Sequence, residues 1–96
     1  MRFEWDAAKA ESNLRKHGVG FELAMRAFAD PFALTEQDRI EGGEYRWQTL
    51  GMVDDNLLLL VAHIDREEHD VPVVRIVSAR VATRRERRRY AQDRQT

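Results

Sequence analysis

The sequence predicts an α+β domain built from two N-terminal helices, an antiparallel β-meander of three to four strands and a C-terminal basic helix. Three observations predict it. Phe21, Ala24, Met25 and Phe28 recur at helical spacing. The middle of the chain alternates with period two and then runs apolar from Leu57 to Ile64. The end, RVATRRERRRYAQDRQT, carries seven arginines around a helix-capping pattern. Ninety-six residues suit one domain, residues 1–96, with the helices gathered against one sheet face.

FEWD (3–6) reads as a short strand or an extended lead-in. Asp6 then caps a helix through AAKAESNLRKH, with Ala7, Ala10 and Leu14 as a thin apolar face. Gly18 fits its C-terminal stop, and Lys16 and His17 suit the negative end of the helix dipole. The second helix ends at Asp30-Pro31, because proline cannot continue the ladder. Residues 32–36 fit a short strand and the charged, glycine-containing stretch 36–44 a loop. Tyr45, Trp47 and Thr49 alternate with Arg46, Gln48 and Leu50, a half-buried strand. Asp54-Asp55-Asn56 is turn chemistry. A three-residue loop there sets Trp47 opposite His63; a two-residue loop shifts the register by one. Leu57–Ile64 is the central strand, DREEHD (65–70) a turn and Val71–Ala79 the next strand. Thr83-Arg-Arg-Glu86 is a capping box for the last helix. Past Ala82 the only large apolar group there is Tyr90, so the helix docks lightly and frays beyond about residue 90.

The formal net charge of -1 conceals a strong asymmetry. Residues 41–72 hold Arg46 and Arg66 against eight carboxylates, whereas residues 73–96 hold eight arginines against Glu86 and Asp93. A basic end of this kind attracts a polyanion without reading its sequence. The chain has no cysteine, which excludes disulfides and thiolate metal sites. It has no secretory leader pattern and no run long enough for a membrane span, so a cytoplasmic protein is expected.

Histidines 17, 63 and 69 lack HxxxH or HExxH spacing, and no phosphate-cradling glycine motif or GxSxG occurs. No metal and no cofactor is expected. Arginine is what remains. Arg75 lies inside the apolar strand VVRIVSAR, on a face with Val73 and Val77, with Ser78 and Arg80 on the other. It is either paired with an acid such as Glu44 or a bidentate phosphate ligand. Arg46 interrupts a strand beside Trp47, and His63 ends the central strand as either a capped structural histidine or an acid–base group.

FEWD, KAESNLRKHGV, FELAMRAFADP, GEYRW and above all RIVSAR followed by ATRRERRRY resemble the BrnT toxins of type II toxin–antitoxin systems. The likeness runs in order over residues 3–90. It implies a RelE-like fold, a ribonuclease that arrests translation, and a BrnA-type antitoxin through which operator DNA is bound, with toxin dimers in the complex. The family pattern carries tyrosine where this chain has His63 and glutamate where it has Tyr45. The chemistry expected is metal-independent: the RNA 2′-hydroxyl attacks phosphorus and leaves a cyclic phosphate. Arg75 and Arg80 then bind the phosphate, Arg46 assists, His63 or Glu44 is the base, and Tyr90, Lys16 or His17 the acid. Lys16, His17, Arg84, Arg85 and Arg88 are the expected RNA-binding set. Two rivals are a non-catalytic nucleic-acid-binding or operon-regulating module and an inactive toxin-like interaction domain.

Overall fold

The computed structural model describes residues 1–94. In chain order it comprises β1 (Arg2–Glu4), α1 (Ala7–His17), α2 (Phe21–Met25), a 3₁₀ turn (Arg26–Ala29), β2 (Leu34–Glu41), β3 (Glu44–Asp54), β4 (Leu57–Glu68), β5 (Val71–Val81) and α3 (Arg84–Arg94). Strands β2 to β5 form the antiparallel meander, and β1 pairs parallel to β5, giving the order β1-β5-β4-β3-β2. The purely antiparallel sheet expected is therefore a five-stranded mixed one. Among the described residues, no helix is long and apolar enough to cross a membrane.

Local chemistry sets most element ends. Asp6 accepts from the amides of Ala8 and Lys9 at 2.8 and 3.1 Å, and Gly18 closes α1 in the left-handed region at φ 71°. Thr83 accepts from the Glu86 amide at 3.2 Å while Glu86 accepts from the Thr83 amide at 2.8 Å, completing the capping box. Helix α3 continues through Arg94. The part of the expected frayed tail at residues 95–96 lies outside the described residues.

Two charged stretches are strand rather than loop. β2 runs through to Glu41, and only Gly42 and Gly43, both at positive φ, make the turn to β3. β4 runs to Glu68, and His69 and Asp70 turn with φ of 53° and 66°. Both residue types tolerate that region better than most. The charges are accommodated by pairing: Arg66 binds Glu4 bidentately at 2.6 and 2.9 Å and also reaches Glu68, which Arg2 meets at 3.0 Å.

The helices do not share one face. On one side Val19, Phe21, Ala24 and Ala27 of the α1–α2 layer pack on Leu59, Val61, Val74, Ile76 and Ala79. On the other, Ala82 and Tyr90 cover Leu50, Leu58 and Leu60. β4 explains this, because its continuous apolar run feeds both faces at once. Within α1 the expected apolar Leu14 is 53% exposed, and Asn13 is buried in its place.

The β3–β4 connection combines the shorter loop with the unshifted register. The loop is two residues, Asp55-Asn56, but Val53 is an extra residue in β3, and Trp47 still meets His63. The 3₁₀ turn comes so close to β3 that a Cβ on Gly51 would sit 2.3 Å from the Ala27 carbonyl oxygen. Gly51→Ala should therefore lower stability by about 1–3 kcal/mol, read as a fall in denaturant midpoint.

Candidate functional site

Strand β5 carries an irregularity that reorganises its arginines. Ala62 pairs with Ser78 and His63 with Ile76, so Val77 is an extra residue. Strict alternation puts Arg75 and Arg80 on opposite faces; the bulge reverses the parity after Val77. Arg75, Ser78 and Arg80 consequently share the face that holds Arg46, Gln48 and Ala62. That face is covered by α3 over only part of its length. Where the cover ends, a hollow of about 180 Å³ is lined by Arg46, Gln48, Leu60, Ala62, Ser78, Arg80 and His17.

His17 reaches this hollow because of Asn13, one helical turn earlier. The Asn13 amide nitrogen donates to the carbonyls of Ala79 and Val19 at 2.8 and 2.9 Å, and its oxygen accepts from the Ala79 amide at 3.1 Å. β1 pairs with β5 only as far as Arg75, so the edge of β5 beyond it lacks a strand partner. A side-chain amide takes that place, satisfying both backbone groups of Ala79. The sequence signal was its spacing: Ala10, Asn13 and His17 fall on one helix face.

The arginines are oriented by carboxylates. Glu86 binds Arg80 through Nη1 and Nη2 at 2.8 and 3.0 Å, and Nη1 also donates to the Val81 carbonyl at 3.3 Å. Among the described residues the Nε side of that guanidinium has no acceptor, so one two-donor edge remains open. Arg46 is mostly buried, donates from Nη1 to Glu41 at 3.1 Å and has Nε 3.3 Å from Asp38. Its Nε–H is not aligned on Asp38 and has no hydrogen-bond acceptor. Arg75 lies 3.6 Å from Glu4 rather than pairing with Glu44.

Arg75 and Glu44 do not line the hollow, and His63 and Tyr90 lie elsewhere in the fold. His63 is buried on the opposite face, Nε2 2.7 Å from the Thr49 hydroxyl and Nδ1 2.6 Å from Asp65, with Phe28 edge-on. Burial pushes its pKa down, with Asp65 opposing, which favours the neutral ring. The ring then donates from Nδ1 to Asp65 and accepts from Thr49, whose oxygen also meets Thr35 at 2.8 Å. Thr49–His63–Asp65 has the connectivity of a nucleophile triad, but Thr49 and His63 are each 1% exposed. It straps β2, β3 and β4 together. Tyr90 is 3% exposed and donates to Asp30 at 2.5 Å. Burial and the Asp30 carboxylate push the Tyr90 hydroxyl up to about 12, and its bond to Asp30 anchors α3. Asp30 is opposed by burial yet held below its usual range by Tyr90 and the amides of Met52 and Phe32.

Lys16, Arg84, Arg85 and Arg88 are exposed. Arg87 and Arg89 are tethered to the Asn56 carbonyl and Glu36 at 3.4 and 3.3 Å. Among the described residues, no group of three His, Cys, Asp or Glu converges as metal ligands. Gln48 and Ser78 join the lining without having been singled out in the sequence, where each is one ordinary polar residue of a strand.

A family profile described as the ribonuclease toxin, BrnT, of type II toxin–antitoxin systems matches residues 5–86. Comparison with curated protein sequences finds no match. Among solved structures, the fold is similar to the Brucella abortus ribonuclease toxin BrnT, with a TM-score of 0.68 and 19% identity over 88% of this chain and 99% of that one.

Two outcomes follow from the geometry. Arg80 and the Thr83 amide, working against burial, hold the Glu86 carboxyl down to about 2 from its ordinary 4.5. Its folded-state pKa is depressed, so its stabilisation is present above about pH 4.5 and is lost as pH falls toward 2. Glu86→Gln should flatten stability against pH across that window in acid-unfolding curves. Asn13→Ala leaves the Ala79 amide and carbonyl unpaired and should cost at least ~2 kcal/mol in denaturant unfolding.

Proposed function

The chain belongs to the BrnT family of ribonuclease toxins of type II toxin–antitoxin systems, and from that premise we propose that it cleaves RNA in the hollow between the end of α1 and the β5 bulge. The observation that carries this reading is the Val77 bulge, which gathers Ser78 and Arg80 beside Arg46 under His17.

The RNA 2′-hydroxyl attacks the adjacent phosphorus while the bond to the 5′-oxygen breaks. The products are a 2′,3′-cyclic phosphate and a 5′-hydroxyl. The open Nε edge of Arg80 matches two phosphate oxygens, and Arg46 adds positive charge as the pentacoordinate phosphorane develops. Glu86 aims Arg80 by holding the far end of its guanidinium. Gln48 and Ser78 offer hydrogen bonds to the nucleotide. Among the described residues His17 is the only imidazole lining the hollow, and it protonates the leaving 5′-oxygen. The nearby carboxylates Glu86, Asp38 and Glu41 are engaged by arginines, so solvent takes the 2′-hydroxyl proton. No metal enters this scheme.

Arg75 and the exposed Lys16, Arg84, Arg85 and Arg88 draw in the RNA backbone through a salt-sensitive field. Attack by a 2′-hydroxyl restricts the reaction to RNA. On the same reading the fold is of the RelE type, translation stops when RNA is cut in the cytoplasm, and the neutralising antitoxin is of the BrnA type. That antitoxin supplies the operator contacts and joins toxin copies in the complex.

His17→Ala should slow RNA cleavage by about 100-fold or more while leaving the circular dichroism spectrum unchanged. Arg80→Lys keeps the charge but loses the two-donor edge, and a loss of similar size is expected. Wild-type cleavage rates in both folded variants would remove this site.

A further inference from the structure

Strands β3, β4 and β5 outrun the helices that cover one of their faces, and the protruding end has a chemistry the RNA site does not use. Tyr45 is 57% exposed there, and with Trp47 and Pro72 it floors an open shelf of about 520 Å³ rimmed by Glu44, Asp65 and Glu67. Ile40, 60% exposed, pairs with Tyr45 and extends the apolar strip. Arg66 lines the same shelf, but its guanidinium is held by Glu4 and Glu68. Tyr45, Trp47, Asp65 and Glu67 alternate along their strands with Arg46, Gln48, Ile64 and Arg66. The floor of the shelf, Tyr45 and Trp47, therefore lies on the reverse face of the sheet from the hollow, and Glu44, Ile64 and Arg66 border it from the other parity.

Aromatic groups with a carboxylate rim repel a nucleic acid and favour a cationic protein segment, whose Lys or Arg side chains can stack on the rings and meet the acids. The chain's own cationic helix is packed on the other face by Tyr90. Nor is the neighbouring sheet edge inviting to an added strand. β2 is bent by an extra residue at Asp38 and carries charge along its length, both of which discourage edge pairing.

We propose that this shelf is where the antitoxin docks, through a basic segment that places an apolar or arginine side chain between Tyr45 and Pro72. This rests on the family assignment, which supplies the partner. Because the floor of the shelf and the hollow lie on opposite faces, the docked segment does not itself occupy the RNA site. It serves as an anchor, and inhibition requires another part of the antitoxin to reach the hollow.

The test uses the full chain and the antitoxin from its own operon. Tyr45→Ala combined with Glu67→Lys should cleave RNA at the wild-type rate but bind the antitoxin at least about tenfold more weakly by calorimetry. Arg80→Lys should bind it as wild type does. Unchanged antitoxin affinity in the shelf variant overturns the proposal. So does a wild-type dimer, seen by light scattering without antitoxin, that the same variant dissolves, because the shelf then belongs to a second copy. A wild-type chain that neither cuts RNA nor binds the antitoxin overturns the toxin reading itself.

Discussion

One side-chain amide joins the two halves of this fold. Asn13 sits on the first helix, yet it hydrogen-bonds both backbone groups of Ala79 as a neighbouring strand would. Without it the free edge of β5 has a buried donor and acceptor with no partner, a cost comparable to a large share of a small domain's stability. The same contact fixes how α1 lies on the sheet. It thereby sets His17, one turn further on, over the stretch of β5 that holds Ser78 and Arg80. Folding energy and site geometry thus depend on the same three hydrogen bonds.

Charge is organised by a related economy of placement. The positive end of the chain is not a free field of arginines. Arg80 is aimed by Glu86, Arg87 and Arg89 are tethered across α3, and Arg46 is clasped by Asp38 and Glu41. These pairs contribute little as surface salt bridges. Their consequence is orientation: a guanidinium held at one edge presents the other edge in a fixed direction. The acidic middle of the chain supplies some of these clasps. Three of its other carboxylates, Glu44, Asp65 and Glu67, gather around Tyr45.

How much of this the sequence disclosed follows from what sequence signals measure. Caps are local, and Asp6, Gly18 and the Thr83–Glu86 box are where their residue types put them. The alternation at Tyr45–Leu50 and the run at Leu57–Ile64 located β3 and β4. Their true lengths were hidden, because the charged residues of β2 and β4 are satisfied by ion pairs that only the folded sheet creates. Bulges were hidden too, since one extra residue leaves no compositional trace. Val77 therefore concealed that Arg75 and Arg80 share a face, and Val53 concealed that a two-residue turn preserves the Trp47–His63 pairing. His63 drew attention by residue type, although its face of β4 leads into the core. Asn13 escaped notice because one polar residue on a short helix resembles solvent exposure until its tertiary partner is known.

The placement of the RNA site can be measured directly. A non-cleavable 2′-O-methyl RNA titrated into isotope-labelled protein reports contact residue by residue through NMR shift changes. The largest changes are expected at His17, Gln48, Ser78, Ala79 and Arg80. Changes confined to the outer face of α3, or centred on Tyr45 and Glu67, would contradict a site built on the β5 bulge.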